Sequence, residues 1–100
     1  MRSMVNMKWD GVTPSQYDAV RKIVNWDDNP AKGAVFHVVG FTKKGMRVTD
    51  IWESEEDFNS FVENRLMPTV KQLGLPGEPK VKFTPVHNIY SPDAALLSKK

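Results

Sequence analysis

The sequence contains no cysteine and only two histidines. The absence of cysteine excludes disulfide bonds, thiolate metal ligands and a cysteine nucleophile, and it is typical of a reducing compartment. The opening residues, MRSMVNMKW, lack the apolar segment of a secretory signal, and no stretch approaches the roughly 18 apolar residues of a membrane span. We therefore expect a cytoplasmic protein with no membrane contact.

Clusters of like charge are also scarce. The 14 basic and 12 acidic residues are dispersed, and basic residues adjoin only as pairs. This pattern is typical of a solvated surface and predicts no nucleic-acid partner. With 40% hydrophobic residues, a chain of 100 residues can form the core of one domain. We assign residues 1–92 to that domain and residues 93–100 to a flexible C-terminal tail.

The first elements are a strand and a helix. Apolar and polar residues alternate from Met4 to Trp9, which predicts a half-buried strand. A helix should follow, because Thr13 can cap it, Pro14 suits its first position and Gln16 completes a capping box. Its apolar residues recur at helical spacing and predict one buried stripe, formed by Tyr17, Val20, Ile23 and Val24.

A hairpin and a second helix come next. Residues 34–41 and 46–52 are rich in β-branched and aromatic types and flank the turn sequence TKKG. Ser54 can cap a second helix, whose acidic first turn suits the positive end of the helix dipole. Pro68 should kink or restart this helix, and Gly74 should end it.

The last predicted strand is KVKFTPVHNIY, residues 80–90, and the full order is β-α-β-β-α-β. This order predicts an α+β domain of the ferredoxin-like type, a four-stranded antiparallel sheet with two helices on one face. In the second strand Val39 and Phe41 lie on one side, whereas Phe36 and Val38 lie on the other. Because the helices cover one face only, we expect a second copy of the chain to cover the other and predict a homodimer.

Four runs of the sequence carry a family resemblance: GVTPSQYDAVRKIV, GAVFHVV, RVTDIWESEEDFNSFVENRLMPTV and PVHNIY. They resemble the dimeric α/β-barrel superfamily, in which two ferredoxin-like protomers pack sheet to sheet. The chain is most similar there to small antibiotic biosynthesis monooxygenase-like proteins, many of unassigned function. The resemblance covers residues 2–91 and implies a pocket between the helices and the sheet. It does not imply one reaction, because the superfamily includes oxygenases, haem-degrading enzymes, cyclases, isomerases and peroxidases.

The chain departs from this family at a position that matters for cofactors. Trp52 to Glu56 match the family's tryptophan at the end of the third strand and the acidic start of the second helix. Many relatives carry a histidine on that helix, often as haem ligand or base, but FNSFVENRLM has none. We therefore expect no haem and no other cofactor. The asparagine and tryptophan constellation of the monooxygenases is not aligned here, so their mechanism is not transferred.

Two polar residues lie in apolar strand patterns and are the catalytic candidates. His37 interrupts the run AVFHVVGF, and Asp50 shares the alternation of Val48 and Trp52. An imidazole, with an unperturbed pKa of about 6.5, can accept a proton from a phenol or an acidic carbon. A carboxylate on an apolar face is costly unless it is paired, and a paired aspartate would orient the histidine as in catalytic dyads. The alternative is that each histidine is a hydrogen-bonded structural residue.

The turn between the two middle strands decides whether these two residues meet. A glycine after two ordinary residues favours a type I turn with a bulge, which would place Val38 opposite Asp50 and turn His37 to the other face. A two-residue turn would instead place His37 directly opposite Asp50. The turn chemistry favours the first arrangement, and both remain open at this point.

Four further residues are candidates for binding a small molecule: Trp9, Trp52, His87 and Tyr90. Aromatic walls with a few polar groups are typical of such pockets, although core packing is the usual role of a tryptophan. His87 and Tyr90 lie in the predicted last strand, and in a barrel dimer His87 would approach His37 of the second copy. An interface hydrogen bond is the structural alternative there.

Other function classes are weaker. An RNA-recognition module needs an aromatic, Gly- and Lys-rich third strand, which GMRVTDIW does not provide. An acylphosphatase needs an anion-binding loop with arginine after the first strand, where this chain has DGVTPSQ. The two histidines and Asp50 lack metal-ligand spacing, so we expect no metal.

The hypothesis is a homodimer that binds a small hydrophobic or aromatic molecule, and the alternative is a cofactor-independent monooxygenase acting on an aromatic or polyketide-like substrate.

Overall fold

The structure, a computed structural model, describes residues 1–93, and residues 94–100 of the proposed tail lie outside the described part. The sheet has the order β2-β3-β1-β4, and each neighbouring pair is antiparallel. Its helices lie on one face, so the α+β ferredoxin-like fold predicted from the sequence is confirmed. The elements are β1 (Ser3–Asp10), α1 (Pro14–Val24), β2 (Ala34–Thr42), β3 (Gly45–Trp52), α2 (Glu55–Phe61), a π-helical segment (Val62–Leu66), α3 (Met67–Leu73) and β4 (Lys80–Pro85).

Helix α1 begins with the predicted capping box. The backbone N–H of Gln16 donates to the Thr13 hydroxyl (3.2 Å), and the backbone N–H of Thr13 donates to the Gln16 side chain (2.9 Å). Two donors that the helix itself cannot satisfy are therefore paired. The predicted stripe is narrower than expected, because Val20 and Val24 are buried while Ile23 is 44% exposed. The stripe fixes which side of α1 faces the sheet.

The second helical layer is continuous but changes its winding. The Ser54 hydroxyl accepts the backbone N–H of Asp57 (3.1 Å) and caps α2. A π-helical turn follows, in which Met67 N–H bonds to the carbonyl of Val62, five residues back. Pro68 then lies at the start of α3, where its missing N–H is tolerated, so the predicted restart occurs there. The left-handed backbone of Gly74 (φ 66°) ends the layer as predicted.

The hairpin register corrects the turn favoured by the sequence. Thr42 pairs with Gly45, so only Lys43 and Lys44 form the turn, and His37 pairs with Asp50. The bulged turn predicted from the glycine position is therefore wrong. Gly45 has φ 148°, and a Cβ there would lie 2.6 Å from the carbonyl oxygen of Trp9. Glycine is therefore needed at this position because β3 passes close to β1 there. The irregularity in β2 lies elsewhere, between Ala34 and Phe36.

Strand β4 is shorter than predicted. It ends at Pro85, which is paired with Ser3, the first residue of β1. One further backbone bond, from Val86 N–H to the Arg2 carbonyl (3.0 Å), ends the contact. The strand assignment of residues 86–90 was wrong because β1 offers no partner strand beyond its own first residues.

The core lies between the sheet's inner face and the helices. Alternate residues of β1 and β3 point into it, and helices α2 and α3 contribute Phe58 and Val70. Trp9 is 2% exposed and its indole N–H donates to the Pro76 carbonyl (2.7 Å), so its polar atom is satisfied. The buried strand residues of this core are Val5, Met7, Trp9, Met46, Val48 and Trp52.

Replacement of Gly45 by alanine should test the link between the turn and the register. Its φ of 148° and the contacts of a Cβ with backbone atoms, 2.6 Å and 2.7 Å away, predict a loss of about 2 to 3 kcal/mol of unfolding free energy or more. Gly40→Ala is the matched control, because a Cβ at Gly40 meets nothing within 4 Å. Urea unfolding of both variants makes the measurement, and equal stabilities would contradict this role of Gly45.

Candidate functional site

A cavity of about 550 Å³ lies between the inner face of the sheet and the helices. Its volume is in the range of small-molecule sites, roughly 300 to 1,000 Å³. Most of its lining is apolar or aromatic. The sheet provides Met7, Trp9, Val39, Met46, Val48 and Trp52, and the helices and loops provide Val20, Trp26, Ala31, Phe58, Phe61, Leu66 and Val70.

The polar part of this lining is built around Asp50, which is 6% exposed. Nδ1 of His37 lies 2.6 Å from Oδ1 of Asp50, and the indole N–H of Trp52 donates to Oδ2 at 3.1 Å. Each carboxylate oxygen therefore has an N–H partner, as a buried acidic group requires. A carboxylate only accepts, so His37 carries its proton on Nδ1 and leaves the lone pair of Nε2 available.

Tyr17 of α1 occupies that lone pair. Its hydroxyl lies 2.8 Å from Nε2 of His37. Burial raises the pKa of Tyr17 to about 12, with further contributions from nearby carboxylates and an opposing one from Arg21. At neutral pH the phenol therefore keeps its proton and donates it to Nε2. The result is one directed chain from Tyr17 through His37 to Asp50.

Aromatic rings enclose this chain. The ring of Trp26 meets the imidazole edge-on with 5.6 Å between centroids, and it also contacts Tyr17 (5.9 Å) and Phe61 (6.3 Å). Phe61 in turn packs against Trp52 at 5.5 Å. Such contacts fix ring orientations as well as burying surface. The side chain of His37 remains 36% exposed, so the aromatic rings cover the polar chain only in part.

One ion pair and two hydrogen bonds hold the loop that carries Trp26. The guanidinium of Arg21 bonds to Asp27 at 2.6 Å, and both residues line the cavity. Arg65 donates to the carbonyls of Val24 (3.0 Å) and Asn29 (2.7 Å). These bonds join the end of α1 and the following loop to the second helical layer, so Arg65 has a structural role.

The structure brings four of the six predicted site residues to one cavity. His37, Asp50, Trp52 and Trp9 all contribute to its lining, whereas His87 and Tyr90 do not. Both lie beyond β4 and are exposed, with Tyr90 at 83%. No contact links them to the His37 chain among the residues that the structure describes.

Tyr17 and Trp26 are the site residues that the sequence reasoning did not select. The sequence places Tyr17 on the buried stripe of α1, and this placement contains a signal that points to the site. A tyrosine on a core-facing stripe needs a partner for its hydroxyl, and a histidine on the facing strand is a suitable acceptor. Trp26 lies in a loop without periodicity, so nothing in its spacing indicated a direction.

Within residues 1–93 no three acidic or histidine side chains are grouped as metal ligands would be. No helix in the same range has the length and apolar character needed to cross a membrane.

Comparison with known proteins gives matches among solved structures alone. No family model matches the chain. No curated protein matches it either. A protein of unknown function from Nitrosomonas europaea, NE2512, superposes with a TM-score of 0.63 at 12% identity, and the match covers 91% of this chain and 93% of that one.

Two further structures have names that mention an activity. A protein from Caulobacter crescentus CB15, provisionally assigned as an antibiotic biosynthesis monooxygenase, matches with a TM-score of 0.58 at 12% identity, covering 87% and 90% of the two chains. SnoaB, a cofactor-independent oxygenase from Streptomyces nogalater, matches with a TM-score of 0.59 at 14% identity, covering 88% and 94%. At these identities the likeness concerns the fold. The chain therefore shares the ferredoxin-like fold of antibiotic biosynthesis monooxygenase-like proteins, as the sequence resemblance implied.

Proposed function

We propose that this protein binds a small aromatic molecule in the cavity between its helices and its sheet. The observation that carries the proposal is the make-up of this cavity, an aromatic and aliphatic lining of about 550 Å³ with one hydrogen-bonded polar chain on its wall. Trp26, Trp52 and Phe61 line the cavity and would contact a planar ring bound there, where burial of apolar surface would supply the affinity. A hydroxyl or similar group on that ring would be oriented by the polar end.

The His37–Asp50 pair supports a second candidate, cofactor-independent oxygenation of an aromatic or polyketide-like substrate. His37 can accept a proton from a phenol or from an acidic CH₂ group, and Asp50 would stabilise the imidazolium formed. The resulting carbanion or phenolate can give electrons to dioxygen, and the overall change is CH₂ plus O₂ to C=O plus H₂O. The likeness to SnoaB agrees with this candidate only at the level of fold.

The outer face of the sheet supports the proposal that the protein acts as a homodimer. Phe36, Ile51 and Met4 lie in one row across three strands, and Val38, 48% exposed, adjoins them. We name these four residues the apolar corner. The other end of the same face carries charged residues, including Lys8, so only part of the face is apolar. A second copy placed on the apolar corner would cover it and keep the two basic ends apart.

Obstruction of the cavity should weaken ligand binding. Val39→Trp places an indole in the lining, so we expect the affinity for 4-nitroanisole to fall at least about tenfold, a change of about 1.4 kcal/mol. Val81→Trp, also on an edge strand but outside the lining, is the matched control and should bind as the wild type does. Quenching of tryptophan fluorescence measures both affinities. Equal affinities in the two variants would contradict the assignment of the site.

The apolar corner has its own test. A charge at Val38 should separate the protomers, because Val38→Glu would bury an unpaired carboxylate at their contact. The control is Thr42→Glu, at an exposed position further along the same strand. Sedimentation velocity at micromolar concentration should give twice the 11.4 kDa chain mass for the wild type and for Thr42→Glu, and the single mass for Val38→Glu. A wild type that sediments as one chain would rule out the dimer.

Loss of the Asp50 charge should destabilise the protein. Asn in this place removes the charge from the bonds to His37 and Trp52 and turns an NH₂ group toward one of these partners, at a cost of about 1 to 3 kcal/mol in unfolding free energy. Asp10→Asn is the control, because the Asp10 side chain is 66% exposed and pairs with Arg47 at the surface. We expect less than about 0.5 kcal/mol there. Similar losses in both variants would argue against the buried network.

A further inference from the structure

We propose that Tyr17 is a proton relay, which receives the ligand's proton on its hydroxyl oxygen and passes its own proton to His37. This inference rests on the proposed binding of an aromatic molecule in the cavity. It assigns the contact with the ligand's acidic group to Tyr17 of α1, whereas the sequence assigned proton transfer to the histidine itself.

Both ring nitrogens of the imidazole already have hydrogen-bond partners. Nδ1 of His37 is bonded to Asp50 at 2.6 Å, and Nε2 is bonded to the Tyr17 hydroxyl at 2.8 Å. Trp26 packs against the imidazole ring edge-on at 5.6 Å. A ligand that approaches the lone pair of Nε2 therefore meets the Tyr17 hydroxyl, because that hydroxyl is already bonded to it. That hydroxyl donates one bond to Nε2 and has lone pairs left to accept another.

The relay step is balanced in atoms and charge. The ligand's O–H bond breaks and its proton joins the Tyr17 oxygen, while the Tyr17 O–H bond breaks and that proton joins Nε2 of His37. Tyr17 is a neutral phenol before and after the step. The products are a ligand anion and an imidazolium paired with Asp50, and no electron is gained or lost.

The charges around Tyr17 agree with this role. Asp18 and Arg21 face it from its own helix, Asp27 from the following loop and Asp50 from the sheet. Burial and the three carboxylates raise the pKa of Tyr17 to about 12, although Arg21 opposes them. The free phenolate is therefore disfavoured up to strongly alkaline pH. A concerted transfer through the hydroxyl avoids that phenolate.

One alternative makes the opposite prediction. Tyr17 could swing away on ligand binding, so that the ligand takes its place on Nε2. Tyr17→Phe separates the two possibilities, because a phenyl ring fills the whole volume of the tyrosine except the hydroxyl. This change removes the hydroxyl that the relay needs, while the phenyl ring still fills the rest of the space beside Nε2. If Tyr17 instead swings away when the ligand binds, a phenylalanine in its place would swing away at least as readily, because it has no hydrogen bond to Nε2 to break.

The test compares 4-nitrophenol, whose phenolate is yellow, with 4-nitroanisole, which has no acidic proton. The affinity for 4-nitroanisole, from tryptophan quenching, reports the cavity alone. The pH titration of bound 4-nitrophenol reports proton transfer to the chain. We expect the wild type to lower the apparent pKa of the bound phenol by about one unit or more, a tenfold change in its ionisation. His37→Phe should remove this shift, as the control for loss of the acceptor.

In Tyr17→Phe we expect an affinity for 4-nitroanisole within about twofold of the wild type and no shift in the pKa of bound 4-nitrophenol. A purely structural role would change the first measurement, which the relay leaves intact. A shift that persists or grows in Tyr17→Phe would overturn the relay, because the ligand would then reach Nε2 directly. Wild-type protein that binds neither compound would overturn the cavity proposal, and a wild type that binds 4-nitroanisole but shows no shift would overturn the relay alone.

Discussion

The site depends on the cost of burying one carboxylate. Asp50 lies on the inner face of the sheet, where an unpaired charge would destabilise the fold by several kcal/mol. Its partners are His37 across the strand pair and Trp52 two residues along the same strand. A slip of one residue between β2 and β3 would bring Val38 opposite Asp50 and turn His37 to the outer face. The buried charge and the register therefore support each other.

The pairing of His37 with Asp50 also constrains the helices. Because the imidazole's Nε2 points away from Asp50, it needs a donor from the layer above, and Tyr17 on α1 supplies it. The capping box at Thr13 fixes where α1 begins, and so where Tyr17 lies along it. Arg65 then bonds the end of α1 and the next loop to the second helical layer. The chain of hydrogen bonds is thus held by elements that are distant in sequence.

Local signals predicted the fold well and the site in part. The start of α1 is indicated by short-range signals at Thr13, Pro14 and Gln16, and the alternation of strand residues is equally local. The order of the elements could therefore be predicted from these local signals. The hairpin register could not be predicted in this way, because the position of Gly45 after two ordinary residues favours a bulge. The actual constraint on Gly45 is the close approach of β1, which lies more than 30 residues away in the chain. The pairing of His37 with Asp50 therefore does not follow from the sequence. The contact between Tyr17 and His37 depends on the placement of α1 over the sheet, which no local pattern specifies.

The proposed ligand binding and the proposed oxygenation would share their first step in this cavity. An anion formed alone among Trp26, Trp52 and Phe61 would be costly, since an apolar lining disfavours charge. Proton transfer to His37 places an imidazolium within the same wall, and the carboxylate of Asp50 stabilises it. Under this proposal the polar chain would favour ligands whose proton can leave, because such ligands would gain an ion pair that their methylated analogues cannot form. A binding protein and an oxygenase built on this wall differ only in whether the bound anion, once formed, encounters dioxygen.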